Sequence, residues 1–438
     1  MQSLLRPVPA PSCSRTTATW CLTAVLAASV ALAGCKDDDP NNDPDAGDDT
    51  GDASDTGGFE PVVIPVPNGS FEDLDDITND DEEPRAWYAE TWIGDDEWSL
   101  VAPPEGIASL ADGDRVATIT AADPLWASLR SDSLGTVRAG ERYRVRAAAF
   151  AEPPGGNDEQ ARSNVGILLA LTRPYDVAEF GINVSTDWVA ADFISLDYED
   201  SPTARTLEAT FVVPEVLDGH ELRVVALAQL SQWSPDHVRF AIDDVHLEQL
   251  EDVSPAPAPP IWNASFESAQ LPTGAFARSG IAGWVHGGAE SDCRFAGIAN
   301  HDDNTLPQKA HDGAVVADLA PCAMYAPIRV PEGASSILVR ARFTDRIDTD
   351  APVDFGIGVA ALAGPLTGSR NFSLLGLSPG NVDTLDGDTW FEVAHCRNLP
   401  DEPEEGVGYY VVLVNDGSDF LQRIIFDSVA VEFSVPCF

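Results

Sequence analysis

The stretch NGSFE, at residues 68–72, decides the fold because it recurs as NASFE at residues 263–267. Other matches follow each copy in the same order: DGDRVATI (112–119) with DGAVVADL (312–319), YRVRA (143–147) with ILVRA (337–341), and AIDDVHLE (241–248) with IFDSVAVE (425–432). Ordered matches indicate a tandem duplication, with one unit over 61–250 and a second over 261–438. The Pro-rich segment between them, 251–260, is typical of a semi-rigid linker. We expect NGSFE and NASFE to mark the first strand of each copy.

Each copy has the periodicity of β-strands. In YRVRA, the residues Tyr143, Val145 and Ala147 alternate with Arg144 and Arg146, which predicts a half-buried strand. The runs LRVVALA (222–228) and YYVVLV (409–414) are mostly apolar, as inner strands are. The chain has 34 Gly and 33 Pro, and turn residues separate these runs at the spacing of a sandwich. The sequence therefore predicts an all-β chain with two tandem β-sandwiches.

The N-terminus has the pattern of an export signal. Arg6 and Arg15 precede the apolar run CLTAVLAASVALAG (21–34), which is too short for a comfortable membrane-spanning helix. The run continues into LAGC (32–35), which resembles the lipobox of bacterial lipoproteins. This resemblance implies that residues 1–34 are removed and that Cys35 is lipidated, anchoring the chain to the cell envelope, at the outer membrane or cell surface. The alternative is an ordinary signal peptide with a stray cysteine.

The segment 35–60 is rich in Asp, with Gly and Pro and almost nothing apolar, and we predict a disordered acidic tether. The whole chain carries a formal charge of −47. Such acidity argues against nucleic acid and anionic membrane surfaces as partners.

The four cysteines of the C-terminal half predict two disulfides in an exported chain. Three pairings are open, of which we favour Cys293–Cys322 and Cys396–Cys437. A zinc site is a weak alternative, because no C-x-x-C pair occurs.

The landmarks of each copy come in a fixed order: N-x-S-F-E, a Trp in EEPRAW (82–87) or GIAGW (280–284), D-G-x-x-x-A, and a closing strand such as IDDV (242–245). This order resembles the galactose-binding-like jelly rolls, in particular family 4 and 9 carbohydrate-binding modules, over nearly all of residues 62–438. The resemblance implies two tandem jelly-roll β-sandwiches.

The resemblance also implies a structural Ca²⁺ in each copy, held by carboxylates and backbone carbonyls. The matching positions are Glu72 with Asp243 and Glu267 with Asp427. The alternative is that the two glutamates accept hydrogen bonds from loop amides, or that the acids face solvent.

Sugar binding needs solvent-exposed aromatic side chains that are surrounded by polar groups. Trp92 and Trp98, in TWIGDDEW (91–98), are our candidate pair, and packing under the loop is the alternative. Trp87 and Trp284 match in the repeat, so we expect both in the core.

No G-x-S-x-G or H-E-x-x-H motif occurs, and no pair of carboxylates is singled out for glycoside hydrolysis. We therefore expect no enzyme, but a surface lipoprotein that binds a carbohydrate or an extracellular polymer. The alternatives are a structural or adhesive lipoprotein with protein partners and, less favoured, a polysaccharide hydrolase.

Overall fold

The computed structural model of the chain describes residues 60–73, 77–78, 86–93, 96–156, 161–172, 186–254, 259–269, 271–272, 276–277, 283–287, 297–300, 310–311, 313–345, 353–363, 373–382, 390–400, 407–417 and 423–437. All of them lie in the compact unit Gly58–Phe438. The predicted signal peptide, Cys35 and all of the tether except Glu60 lie outside the described residues. Among the described residues, no helix is long and apolar enough to cross a membrane.

The described part of the chain is built from strands. The first copy contains β1 Val62–Ile64, β2 Ile77–Thr78, β3 Trp87–Ile93, β4 Ser99–Val101, β5 Val116–Ala121, β6 Leu125–Ser131, β7 Arg142–Ala151, β8 Arg162–Thr172, β9 Thr186–Asp197, β10 Thr203–Val212, β11 Glu221–Leu230 and β12 Val238–Leu250. The second copy contains β13 Phe276–Ala277, β14 Val285–Gly287, β15 Gly297–Asn300, β16 Val315–Leu319, β17 Cys322–Ile328, β18 Ser336–Asp345, β19 Val353–Ala363, β20 Ser373–Val382, β21 Phe391–Asn398, β22 Val407–Asn415 and β23 Ile424–Phe433. Short 3-10 turns occur at Glu215–Leu217 and Glu267–Ala269.

The strands form two sheets in each copy, and the two copies share one topology. In the first copy the orders are β10-β7-β12-β5-β4, with β1 beside β12, and β2-β3-β6-β11-β8-β9. In the second copy they are β13-β15-β16-β23-β18-β21 and β14-β17-β22-β19-β20. The eight strands β5 to β12 correspond one by one, in the same neighbour order, to β16 to β23. The chain is therefore all-β and contains the two sandwiches that the repeat predicts.

The alternation predicted for β7 is present. Tyr143, Val145 and Ala147 are buried in the first core, whereas Arg144 and Arg146 lie on the other face. There Arg144 pairs with Glu248, and Arg146 pairs with Glu208 at 2.6 Å. This face is therefore a solvated ladder of opposite charges.

The second sandwich repeats this ladder. Arg340 in β18 contacts both Glu392 and Glu432 at 3.1 Å. Exposed pairs of this kind add little to stability, about 0–1 kcal/mol each. Their effect is to keep the outer face polar, and a charged ladder offers no flat apolar surface for a sugar ring.

The inner strand β11 is buried on both faces, as its apolar run predicts. Val224, Ala226 and Ala228 lie in the core of the first sandwich. Val225 and Leu227, on the opposite face, are at most 2% exposed. Val225 and Leu227 belong to the same buried cluster as Phe266 and Trp284, so this outer face of the sheet packs against the second copy.

One predicted disulfide is present in the described residues: Cys396 in β21 is bonded to Cys437, with the Cα atoms 5.4 Å apart. This bond ties the last residues of the chain to an edge strand. Cys322 is also disulfide-bonded, whereas Cys293 lies outside the described residues.

Candidate functional site

In the first copy, a turn at residues 112–115 joins the opening motif to the closing strand. The backbone amides of Asp114 and Arg115 donate to Oε1 of Glu72, at 2.8 and 3.0 Å. The amide of Asp112 donates to Oδ2 of Asp243 in β12, at 2.8 Å. Hydrogen bonds to a carboxylate are roughly twice as strong as neutral ones. We call this arrangement of turn and acids the first joint, and in it Glu72 accepts loop amides.

The second joint repeats the first. The amides of Ala314 and Val315 donate to Oε1 of Glu267, at 2.8 and 2.6 Å. The amide of His311 donates to Oδ2 of Asp427 in β23, at 2.8 Å. Both glutamates therefore accept hydrogen bonds from loop amides, which is the alternative to calcium binding given by the sequence. The two calcium ions stay a prediction.

The glycine of each D-G turn is explained by the joint. Gly113 has a φ of +93°, and a Cβ built on it would lie 2.2 Å from Oε1 of Glu72. Gly313 has a φ of +70°, and its Cβ would lie 2.4 Å from Oε1 of Glu267. A side chain here would meet both a strained backbone and a carboxylate. The glutamate and the glycine therefore recur together because they occupy the same space.

The opening motif is a turn, so the prediction that it marks the first strand is wrong. Residues 67–70 and 262–265 form turns, and both copies place the Asn and the Phe of the motif in the left-handed region. The φ values are 46° at Asn68, 52° at Phe71, 54° at Asn263 and 63° at Phe266. Asn tolerates this conformation, whereas Phe adopts it only when its surroundings hold it there.

Burial of the ring holds Phe71 in place. Its side chain is fully buried, and its ring centroid lies 5.0 Å from that of Trp87. The indole of Trp87 donates to the carbonyl of Asn68 at 3.2 Å. In the second copy Phe266 lies 5.3 Å from Trp284, whose indole donates to Asn263 at 3.2 Å. The prediction that Trp87 and Trp284 are core residues is confirmed.

The closing strand of each copy contains a bulge next to its acid. The register of β12 against β7 shifts between Asp243 and His246, and Asp244 has a φ of 51°. β23 shifts in the same way against β18, and Ser428 has a φ of 50°. A bulge re-aims the side chain beside it. It is the device that turns Asp243 and Asp427 towards the D-G turns.

The two joints differ in how well the closing aspartate is satisfied. Both carboxylate oxygens of Asp427 accept amides, from His311 and from Ser428 at 2.6 Å. Oδ1 of Asp243 is buried without a well-formed hydrogen bond, although the Asp244 amide is close enough to favour the charged form. Burial, helped by the neighbouring Asp244 and Glu72 carboxylates, raises the pKa of Asp243 to about 7. Only the first joint therefore has a buried oxygen in need of a partner.

The orphaned oxygen makes the first joint fit a cation better than the second. A Ca²⁺ ion accepts mixed carboxylate and carbonyl oxygens, which Asp243, Glu72 and the adjoining loop would supply. The described residues hold no cluster of three or more His, Cys, Asp or Glu side chains suited to a metal. The carbonyl oxygens would therefore have to complete such a site.

The predicted aromatic pair is not an exposed platform. Trp98 is only 7% exposed and packs in the core of the first sandwich, because its loop folds back over β5 through the neighbouring strand β4. The side chain of Trp92 lies outside the described part of the structure. The alternative of packing under the loop holds for Trp98.

A different set of side chains, which the sequence did not single out, crosses the outer face of the second sheet. Gln229 in β11 pairs with Trp126 in β6 on one side and with Asn164 in β8 on the other. Asn164 pairs in turn with Ser195 in β9. We call Trp126, Gln229, Asn164 and Ser195 the amide row. Strands lie about 4.8 Å apart, so the row extends across roughly 14 Å.

The amide row combines buried polar atoms with aromatic rings. Asn164 is fully buried, and neither its Oδ1 nor its Nδ2 has a hydrogen-bond partner. Oε1 of Gln229 also has none. The ring of Trp126 lies 6.0 Å from that of Trp188 in β9. Buried amides without partners are rare in folded proteins and point to a missing water molecule or ligand.

The row reaches solvent at one end, and its residues differ between the two copies. Ser195, on the edge strand β9, is exposed. Gly166 pairs with Leu227 as its counterpart Gly356 pairs with Val414, so the second-copy equivalents of Asn164 and Gln229 are Asp354 and Asp416. Asp354 pairs with Asn381 in β20, and Pro321 stands where the first copy has Trp126, so the second row is acidic and lacks the tryptophan.

The chain has similarity to solved structures. No protein-family model and no curated protein matches the chain. Similar structures include a tandem pair of carbohydrate-binding modules, CBM22-1 and CBM22-2 of Xyn10C from Paenibacillus barcinonensis. The pair is 11% identical, with 80% of this chain and 94% of that one covered and a TM-score of 0.28.

Two single-module structures are also similar. A CBM4 structure is 17% identical over 42% of this chain and 99% of that one, with a TM-score of 0.25. A Stig cyclase, Fisc from Fischerella sp. TAU, is 19% identical over 44% of this chain and all of that one, with a TM-score of 0.28. Carbohydrate-binding modules, including a tandem pair, are thus among the similar structures, as the landmark order indicated.

Proposed function

We propose that this protein is a non-catalytic binding protein for a neutral carbohydrate or a similar hydroxyl-rich polymer, held at the cell envelope by a lipid on Cys35. The observation that supports binding is the amide row, and above all Asn164, whose two buried polar atoms have no partner. The lipid anchor is supported by the LAGC sequence alone.

The chemistry of the row suits a sugar. A side-chain amide offers two donors and one acceptor, which match hydroxyl groups that both donate and accept. With 72 acidic residues against 25 basic ones, the chain repels polyanions. A neutral glycan that enters from the Ser195 end meets these requirements.

Binding to a panel of neutral polysaccharides tests the proposal. The full chain should be retarded in gels that contain xylan, mannan or mixed-linkage β-glucan, and the Asn164→Leu variant should not. The matched control is Asn415→Leu, because Asn415 is a buried amide of the second sandwich. No retention of the wild-type chain at high polymer concentration would favour the adhesive alternative.

We also propose a Ca²⁺ ion at the first joint, where it would neutralise Asp243 and Glu72. Calcium should raise the melting temperature of the wild-type chain but not that of Asp243→Asn, since the amide removes a charge that the ion needs. An unchanged midpoint after chelation would rule out the ion.

The anchor has its own test. Cells that express the wild-type chain and are fed a labelled fatty acid should transfer the label to it. Cys35→Ala should carry no label, and a labelled variant would contradict the anchor.

A further inference from the structure

Each sandwich has one side at which the edge strands of its two sheets meet. In the first copy these strands are β9 and β10, and in the second copy they are β20 and β21. An edge strand has a row of backbone groups without a ladder partner, and side chains can cover that row. We call the side chains that bridge the two edge strands the closure of each copy. The two copies use different chemistry for it.

The closure of the first copy is an ion pair centred on Asp192 of β9. Its two carboxylate oxygens accept from the guanidinium of Arg205 in β10, at 2.8 and 3.0 Å. Oδ2 of Asp192 also accepts from the backbone amide of Glu208 in β10, at 2.9 Å. Histidine is the side chain whose ordinary change of charge falls between pH 5 and 8. A closure made of a carboxylate and a guanidinium therefore keeps its charges over that range.

In the second copy a serine takes the place of Asp192. Ile167 pairs with Asp192, and its counterpart Ile357 pairs with Ser378 in β20. Both isoleucines lie in the cores of their sandwiches. Residues that pair across two strands share a face, so Asp192 and Ser378 point inwards from their edge strands. The second closure therefore lacks the carboxylate of the first.

The side chain that meets Ser378 is the imidazole of His395 in β21. Val145 pairs with Ala209, and its counterpart Val339 pairs with His395, so the ring occupies a core position that is alanine in the first copy. Nδ1 of His395 lies 3.1 Å from Oγ of Ser378. Nε2 of His395 is buried, and no described residue gives it a hydrogen-bond partner. The second closure is thus a single hydrogen bond to a titratable ring.

A proton added to this ring would not be stabilised by its surroundings. The charged imidazole has an N–H at both nitrogens, but only Nδ1 faces an oxygen. The residues that meet the ring from β18 and β20, Val339 and Ser378, are uncharged, and the inward side chains of β19 beside β20 are apolar. Burial, and to a smaller extent the positive charge of Arg397 in β21, lowers the pKa of His395. The closure therefore requires a neutral ring.

We infer that the closure of the second copy is a pH-sensitive switch: protonation of His395 separates β20 from β21, whereas β9 and β10 of the first copy stay closed. The switch is independent of the proposed glycan site. Above the ordinary imidazole pKa of about 6.5, the ring is neutral in both the folded and the unfolded chain, and the closure has its full strength. Because the folded pKa is lowered, the unfolded chain binds the proton first, and the stability of the closure falls as the pH drops below that value.

Hydrogen–deuterium exchange of the full chain follows each closure separately. Exchange is measured at about pH 7.5 and about pH 5, on either side of the ordinary imidazole pKa, and corrected for the intrinsic effect of pH on exchange. Amides of β20 and β21 should lose protection several-fold at the lower pH, while β9 and β10 keep theirs as an internal reference. His395→Ala, which copies Ala209, should have equal protection in β21 at both pH values. Ser378→Asp should reverse the effect, because a carboxylate stabilises the charged ring.

Four results would overturn the switch. One is equal protection of β21 at both pH values in the wild-type chain. Another is a loss at low pH that is as large in β10 as in β21, since acid would then act on the whole chain. A loss that persists in His395→Ala would assign the effect to a different group. If that variant does not fold, Ser378→Asp decides, and a loss in β21 as large as that of the wild type refutes the inference.

Discussion

Replacing Asn164 by Leu should stabilise the protein while it abolishes glycan binding. Leu has the same branching at Cγ but no polar atoms there. Each buried polar atom without a partner costs about 1–3 kcal/mol, so removing two should recover about 2–6 kcal/mol. The larger methyl groups of Leu cost about 1–3 kcal/mol through overpacking. The midpoints of the two ranges leave a net gain of about 2 kcal/mol, which corresponds to a rise in melting temperature of roughly 4 °C or more.

The assay is thermal unfolding of the full chain, followed by circular dichroism, together with retention on the polysaccharide panel. Asn415→Leu provides the contrast, because Asn415 donates to the carbonyl of Leu319 at 2.8 Å and accepts from Gly417 at 2.9 Å. That variant should lose about 2–4 kcal/mol of unfolding free energy, because it removes two hydrogen bonds and leaves both backbone partners unsatisfied. If Asn164→Leu is destabilised to the same degree, the amide is satisfied within the fold, and the argument for a ligand fails.

Three further predictions concern the joint and the disulfide. Gly113→Ala should cost about 3 kcal/mol in chemical unfolding, because the new Cβ strains the backbone and displaces the Glu72 carboxylate; a neutral result would contradict the joint. Without calcium, stability should fall as the pH rises from about 4 to 7, because folded Asp243 keeps its proton to about pH 7 while the unfolded carboxyl ionises near pH 4. The Asp243→Asn variant should lack this slope, and a persisting slope would assign it to other groups. The Cys437→Ala variant should lose about 4 kcal/mol, as expected for a bond between residues 41 apart in sequence; an unchanged unfolding midpoint would show that the Cys396–Cys437 bond adds nothing.

The strands of the two sandwiches could be predicted from the sequence because strand periodicity is a local property. The alternation around Val145 depends only on the two-residue repeat of a strand, and the apolar run of β11 requires only that it lie between two neighbours. The strand prediction for the opening motif was wrong because Phe71 adopts a left-handed backbone conformation. Its preference for strands is overridden by the burial of its ring against Trp87, a contact between distant residues.

The candidate site was much less accessible from the sequence. Asn164 and Gln229 lie in strands that are otherwise apolar, and nothing in either strand shows that they are neighbours. Their proximity depends on the pairing register, which is a tertiary property. One signal was available: a polar amide within an apolar strand is costly unless it has a partner. The prediction that Trp98 is exposed was wrong. Its acidic neighbours in the sequence suggested a solvated loop, whereas the loop folds so that the Trp98 ring lies in the core.

The joint has a consequence for how such chains can grow. In each copy the start of the unit is bonded to its end, through the amide of Val245 and the carbonyl of Gly69, and through Val429 and Ala264. A unit whose two ends meet can be copied in series by a single duplication of its gene segment, because neither sheet is interrupted at the seam. The faces remote from the seam are then free to diverge. This explains why the two copies retain the same acids, glycines and buried rings at the seam, while Trp126, Gln229 and Asn164 of the first copy are replaced by Pro321, Asp416 and Asp354 in the second.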